Sequence, residues 1–129
     1  MVLRNEFYTT DLLFALVDSG ADYAIFPYEF STQLKLDMTT AIPWKFSGTT
    51  GKEQTGYRKD VTVQILDLDD VTKCVDEIRM TCAFCEDFDI GGGGLLGQNG
   101  FFSLFRTTFH QPSNFFEIDR WQEETGEKK

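Results

Sequence analysis

The chain has 129 residues and a formal net charge of −9, from 21 acidic and 12 basic residues. Hydrophobic residues make up 41% of it and aromatic residues 15%, which is typical of one folded domain with its own core. No apolar run approaches the roughly 20 residues of a membrane span, so no membrane partner is expected. The negative charge repels phosphate backbones, which argues against nucleic acid and favours neutral or basic peptides as partners.

We predict one domain, residues 1–121, followed by a charged tail, residues 122–129. The first residues lack the apolar segment of a signal peptide. The cysteines number three, which is odd and does not suit a disulfide framework. Together these features predict reduced thiols and a cytoplasmic location.

Strand patterns dominate the first two thirds of the chain. Residues 7–17 predict a hairpin arm followed by a strand buried on both faces, since Leu12–Val17 is continuously apolar. Residues 27–36 predict a short helical turn or an irregular segment. Residues 55–66 alternate at period two, as do residues 77–84 after an acidic turn, so we expect these two strands to pair as a hairpin.

The last third predicts one helix and two strands. Residues 98–105 form the one segment with a convincing helical pattern. Residues 106–110 and 114–118 predict two terminal strands joined by a Gln-Pro-Ser-Asn turn. The expected fold class is therefore mostly β and barrel-like, without internal repeats.

Asp18 is the first candidate for chemistry. It comes directly after the apolar run and begins the tetrapeptide Asp-Ser-Gly-Ala, residues 18–21. A carboxylate at the edge of a core is costly, because it loses hydration or shifts its pKa. The structural alternative is an Asx-turn, in which the aspartate accepts a hydrogen bond from its own backbone.

The tetrapeptide resembles the catalytic signature of retropepsin-like aspartic proteases, Asp-Thr/Ser-Gly-Ala. Residues 94–102, Gly-Leu-Leu-Gly-Gln-Asn-Gly-Phe-Phe, are similar to the family's apolar-apolar-Gly segment, which runs beneath the catalytic loop and leads into a short helix. The resemblance covers about Leu12 to Phe116. It implies a closed, barrel-like acid-protease fold with one short C-terminal helix.

Carboxylate-based peptide hydrolysis needs two carboxyls, one ionised to take a proton from water and one protonated to donate to the carbonyl. Their repulsion at close range separates their pKa values. The chain has no second copy of the tetrapeptide, because Asp89-Ile90-Gly91 has the wrong middle residue. The second aspartate would therefore come from a second copy of the chain, which predicts a homodimer with Asp18 from each subunit.

The resemblance also implies supporting roles. Ser19, Gly20 and Ala21 would support the catalytic loop, with the Ser19 hydroxyl bonding across the dimer. Asp22 would lie beside Gln98 and bind substrate backbone. Many retropepsins carry an arginine at the position of Gln98, so the usual ion pair is replaced here by a neutral amide.

A glycine-bearing segment lies where the family has its flap, the hairpin that closes over substrate. Its candidate substrate-binding residues are Gly48, Thr49, Thr50 and Gly51. Such a loop can exclude water and donate backbone hydrogen bonds to a peptide. The alternative is an ordinary long hairpin turn.

Other patterns are weaker. Residues 92–97 match GxGxxG but lack the strand, the later acidic residue and the βαβ setting of a dinucleotide site. Cys74, Cys82, Cys85 and His110 could be taken for a zinc site, yet Cys82 and Cys85 should face opposite sides of a strand. No nucleophile motif accompanies the single histidine. We therefore expect no cofactor and no metal.

The sequence thus predicts an aspartic endopeptidase that hydrolyses peptide bonds with a water held between two Asp18 carboxyls. Two alternatives remain: a non-catalytic, dimeric peptide-binding module with the same fold, and a small all-β hydrolase of another mechanism.

Overall fold

The computed structural model of the chain describes residues 1–18, 20–47, 51–67, 69–88, 93–102, 105–110 and 115–120. From residue 101 onward we describe the backbone alone. The predicted tail and the Gln-Pro-Ser-Asn turn lie outside these residues.

The described chain is mostly β. One short α-helix, α1, spans Glu29–Gln33, and a single 3-10 turn spans Met38–Thr40. The nine strands are β1 (Val2–Arg4), β2 (Ala15–Val17), β3 (Ala24–Pro27), β4 (Ile42–Ser47), β5 (Glu53–Leu66), β6 (Cys74–Cys85), β7 (Gly94–Leu96), β8 (Phe105–His110) and β9 (Phe115–Arg120). None of the described helices is long and apolar enough to cross a membrane.

Seven strands form one sheet in the order β1-β5-β6-β3-β7-β2, with β4 also paired to β5. The long strand β5 has β6 along one edge, and β4 and β1 in succession along the other. This sheet curls into a half-barrel. Strands β8 and β9 pair antiparallel as a separate two-stranded sheet. Within the described residues the sheet therefore ends at β1 and β2, which differs from the closed barrel that the resemblance implies.

The predicted central hairpin is confirmed. Strands β5 and β6 are antiparallel, with Val61 opposite Met80 and Val63 opposite Ile78. All four of these side chains are buried. The alternation predicted this arrangement because successive residues of a strand point to opposite faces, and one face covers the core.

The sheet buries apolar side chains on both faces. The larger core contains Val61, Phe26, Phe84 and Cys82, and α1 adds Phe30 to it. A smaller cluster on the other face is built from Ile25, Ala83 and Cys85, with Trp44, Phe46, Phe88 and Leu95 packed against it. Cys82 and Cys85 thus lie on opposite faces, as their spacing predicted.

The expectation that Leu12–Val17 is buried on both faces is wrong. Strand β2 contains three residues and lies at the end of the sheet. Leu13 is buried, but Leu12, Phe14 and Leu16 are 59%, 85% and 60% exposed. Alternate side chains point inward and outward, and among the described residues no layer covers the outward row.

The predicted helix over residues 98–105 is also wrong as a continuous element. Gln98–Phe102 is an irregular turn in which Asn99 has an extended backbone (φ −75°, ψ 121°) and Gly100 has φ 94°. Phe105 already begins β8. Both Asn and Gly are weak helix formers, and Gly100 takes up a left-handed conformation that suits glycine.

The three cysteines differ in exposure, which gives a chemical test of the fold. Cys74 is exposed, whereas Cys82 and Cys85 are buried free thiols. Burial raises the pKa of both buried thiols above the usual thiol value, so they stay protonated and unreactive at pH 8.

We expect iodoacetamide at pH 8 to add one label to the native protein and three after unfolding in guanidinium, as measured by mass spectrometry. Rapid native labelling of all three would contradict the described core.

Candidate functional site

Strand β2 leads directly into the loop that carries Asp18. The Asp18 backbone N–H donates to the Leu96 carbonyl (2.9 Å), which extends the pairing of β2 with β7 by one residue. The Ala21 N–H donates back to the Asp18 carbonyl (3.2 Å) and closes a tight turn. Asp18 is therefore held by its backbone, while its side chain is exposed.

The Asp18 carboxylate takes part in the same turn. Its Oδ1 accepts a hydrogen bond of 2.9 Å from the Gly20 N–H, which is the Asx-turn considered as the structural alternative. Among the described residues, no donor contacts the second oxygen, Oδ2. The turn thus orients the carboxyl group through one of its two oxygens, so a structural and a chemical use of Asp18 are compatible.

The second sequence segment lies against the first. Strand β7 is parallel to β2, with Leu16 opposite Leu95 and Val17 opposite Leu96. The chain then continues past the Asp18 loop, where the Gln98 N–H donates to the Ala21 carbonyl (2.8 Å). The structure therefore brings together the two motifs that the sequence analysis singled out.

The residue that bonds to Asp22 is Asn99, which the sequence analysis did not single out. The Asp22 carbonyl accepts both the Asn99 backbone N–H (2.9 Å) and its side-chain amide Nδ2 (2.8 Å). The Asp22 side chain is exposed. Sequence reasoning gave Asn99 no role, although an amide next to Gln98 in the second motif was the available signal.

The glycines of the second motif allow this close approach. A Cβ on Gly97 would lie 2.5 Å from the Ala21 carbonyl oxygen and 2.8 Å from that of Tyr23. A Cβ on Gly93 would collide with the Phe14 carbonyl, and one on Gly94 with the Phe26 ring. These glycines have a packing role, which the sequence analysis did not assign when it weighed the run as a dinucleotide motif and as the apolar-apolar-Gly segment.

The predicted flap segment is a hairpin at its base. Strands β4 and β5 pair antiparallel from Ile42 opposite Arg58 to Ser47 opposite Glu53, which leaves residues 48–52 as the connection. Gly51 is exposed and has φ 77°. The predicted site residues Gly48, Thr49 and Thr50 lie outside the described residues, as does Ser19 in the Asp18 loop.

Aromatic side chains support the hairpin base. Trp44 and Phe46 stack with ring centroids 4.6 Å apart, and the edge of Tyr23 meets Trp44 at 5.0 Å. Gly56 faces both rings of this stack and the Ala83 methyl. Tyr23 follows the Asp18 loop, so the loop and the hairpin base are in contact through these rings.

In the part of the chain that the structure describes, no three His, Cys, Asp or Glu side chains are grouped to hold a metal ion. The chain matches no family model, no curated protein and no solved structure.

The packing of Gly97 generates a stability prediction. Gly97→Ala places a methyl against two backbone oxygens that cannot move without shifting the Asp18 loop, and we expect a loss of about 1–3 kcal/mol or more in unfolding free energy. The matched control is Gly51→Ala, which enters open space and pays only for its left-handed backbone, about 1 kcal/mol. Urea unfolding measures both. Equal stability losses would contradict the close packing of β7 on the loop.

Proposed function

We propose that the chain is an aspartic endopeptidase of the retropepsin type, active as a homodimer with Asp18 from each subunit. The observation that carries the proposal is the exposed Asp18 carboxyl on a Ser-Gly-Ala turn that is fixed to the Gly-Leu-Leu-Gly segment by backbone hydrogen bonds. A cytoplasmic location is part of the proposal and is based on the three free cysteines.

The proposed chemistry uses one proton shared by two carboxyls. The ionised Asp18 takes a proton from a water molecule, whose oxygen forms a bond to the scissile carbonyl carbon. The protonated Asp18 of the other subunit gives its proton to the carbonyl oxygen, which produces a tetrahedral diol. The Asp18 that took the proton from water then gives it to the amide nitrogen, and the other Asp18, now ionised, takes a proton from a diol hydroxyl. The C–N bond breaks to release an amine and a carboxylic acid, and one proton is again shared by the two carboxyls. No covalent acyl-enzyme forms.

The substrate would lie extended between the Asp18 loops and the two flap hairpins. Extended peptides bind by adding a strand to backbone groups, with side-chain pockets on alternate sides. The connection of residues 48–52 would donate to the peptide backbone and limit the access of water.

The exposed apolar row supports the dimer. Leu12, Phe14 and Leu16 occupy alternate positions of an edge segment that ends two residues before Asp18. Contiguous exposed apolar surface of this kind is typical of interaction sites. A two-fold axis beside Asp18 would bring this row close to its symmetry mate.

The binding-module alternative is favoured by one observation. The Gly20 N–H bond to Asp18 Oδ1 is a complete structural use of the aspartate, which needs no catalysis to explain it. The presence or absence of cleavage separates the two proposals.

Asp18→Asn should abolish cleavage and leave the fold intact, because the amide oxygen can still accept from Gly20 but cannot take a proton from water. One substitution removes both carboxyls, so the rate on a library-derived peptide should fall by more than the roughly 10²–10⁴-fold of a single general acid or base. The matched control is Asp67→Asn, because Asp67 accepts from the Asp69 N–H in the same way (2.8 Å). Wild-type rates for Asp18→Asn would show that Asp18 is not catalytic.

The wild-type protein, whose subunit mass is 14.8 kDa, should sediment as a dimer at micromolar concentration. Phe14→Lys with Leu16→Lys should shift it towards monomer, because charges in the row would face each other across the axis. The control is Val71→Lys with Val75→Lys, two exposed apolar residues near the β5–β6 turn. A monomeric wild type at the concentration of the activity assay would contradict the shared site.

A further inference from the structure

A groove of about 460 Å³ lies beside the hairpin base and is lined by cationic side chains. Arg58 and Lys59 of β5, Arg79 of β6 and Tyr23, which precedes β3, contribute to its walls. Three of the 12 basic residues thus converge on one groove of a chain with net charge −9.

The charge of Lys59 helps to lower the pKa of the nearby Asp37 carboxyl, whereas Arg58 and Arg79 are in no ion pair within the described structure. The one ion pair among the described residues joins Arg4 and Glu77, outside the groove. The Lys59 Nζ donates to the Thr40 hydroxyl (2.8 Å). Asp60 also lines the groove, and its Oδ1 accepts from the Thr81 hydroxyl (2.6 Å). The residues that line the groove carry three positive charges and one negative charge, and the charges of Arg58 and Arg79 are not matched by an ion pair, which favours an anionic occupant.

Arg58 is held against an aromatic ring and also has one hydrogen-bond donor without a partner among the described residues. Its Nη1 donates to the Tyr23 hydroxyl (2.8 Å), and its guanidinium carbon lies 5.2 Å from the centroid of the same ring. Its Nε is buried without an acceptor among the described residues. An unpaired buried donor costs about 1–3 kcal/mol, and because this Nε is covered, a carboxylate in the groove would bond to the other N–H groups of the guanidinium fork.

The strand register places Arg58 on the same face of the sheet as Leu16, two residues before Asp18. Directly paired side chains share a face, and the pairs run from Leu16 to Leu95, Ile25, Ala83 and Arg58. Four strand spacings of about 4.8 Å give at most about 19 Å, or about six residues of extended peptide at 3.3 Å each. A peptide held at Asp18 can therefore reach the groove.

We propose that this groove binds the carboxylate of an Asp or Glu side chain in the peptide substrate, at one fixed position within about six residues of the scissile bond. The inference rests on the proposed endopeptidase function. It narrows the substrate to a neutral or basic peptide with one acidic residue, because the overall charge of −9 disfavours peptides that are acidic throughout.

The test begins with a peptide that the wild-type protein cleaves, in which Glu and Gln are exchanged at each position in turn. We expect one position at which Glu raises kcat/KM by about tenfold or more over Gln, chiefly through KM. Arg58→Gln and Arg79→Gln should each reduce that ratio towards one, whereas Lys73→Gln, which removes a charge from the distant β5–β6 turn, should leave it unchanged. Fluorescence anisotropy with the Asp18→Asn variant measures the same preference as binding alone.

Each outcome separates the two proposals. Cleavage without an acidic preference at any position overturns the groove assignment and leaves the endopeptidase proposal standing. If Lys73→Gln loses the preference for Glu as much as Arg58→Gln and Arg79→Gln do, the preference comes from the overall charge of the protein, and the groove assignment is wrong. Saturable binding of inorganic phosphate without a Glu preference assigns the groove to free phosphate instead. If no peptide is bound or cleaved, both proposals are wrong.

Discussion

The structure of the candidate site depends on the parallel pairing of two three-residue strands, β2 and β7. Parallel strands must be joined by a long crossover, and here the connection includes β3–β6, most of the main sheet. Two short strands supply few hydrogen bonds of their own. Their pairing is extended by backbone bonds on either side, from Gly94 to the Phe14 carbonyl and from Asp18 to the Leu96 carbonyl.

The packing around that pairing accounts for the glycines of residues 93–97. Gly93, Gly94 and Gly97 lie where a side chain would meet a carbonyl oxygen or a core ring. The apolar residues between them alternate, with Leu96 in the larger core and Leu95 against the smaller cluster. The Gly-Leu-Leu-Gly pattern therefore fits a strand that is closely packed between β2 and β3.

Sequence patterns predicted the parts of the fold that depend on local alternation. The β5–β6 hairpin follows from side-chain periodicity, which a single segment reveals. The terminal strands were predicted on either side of a Gln-Pro-Ser-Asn turn, and residues 27–36, which contain α1, were left open as a helical turn or an irregular segment. Periodicity did not predict burial correctly where burial depends on which strands lie on either side in the sheet. The apolar run before Asp18 is compatible with a central or an edge strand, and only the sheet order places β2 at the end with Phe14 and Leu16 exposed.

For the candidate site too, the sequence revealed contiguous segments but not the contacts between distant residues. The Asp18 motif and the Gly-Leu-Leu-Gly segment were visible because each is contiguous, and the structure brings them into contact. The roles of Asn99, Tyr23 and Arg58 depend on contacts between residues distant in sequence, such as Arg58 with Tyr23. No periodicity signals such contacts in one sequence.

The Asp18 loop combines a fixed backbone with an exposed carboxyl group. The backbone of the loop is fixed at the Leu96 and Ala21 carbonyls, yet its carboxyl and the apolar row before it face outward. A purely structural Asx-turn does not need fixation by a parallel strand beside it, as the Asp67 turn between β5 and β6 shows: the Asp67 carboxylate accepts from the Asp69 N–H, and the Asp67 N–H donates to the Lys73 carbonyl. A carboxyl that must meet a reacting group within a fraction of an ångström does require it, because catalysis depends on groups held in place before the substrate arrives. The close packing of β7 and its glycines against one short loop is therefore a physical argument in support of the proposed chemical role of Asp18.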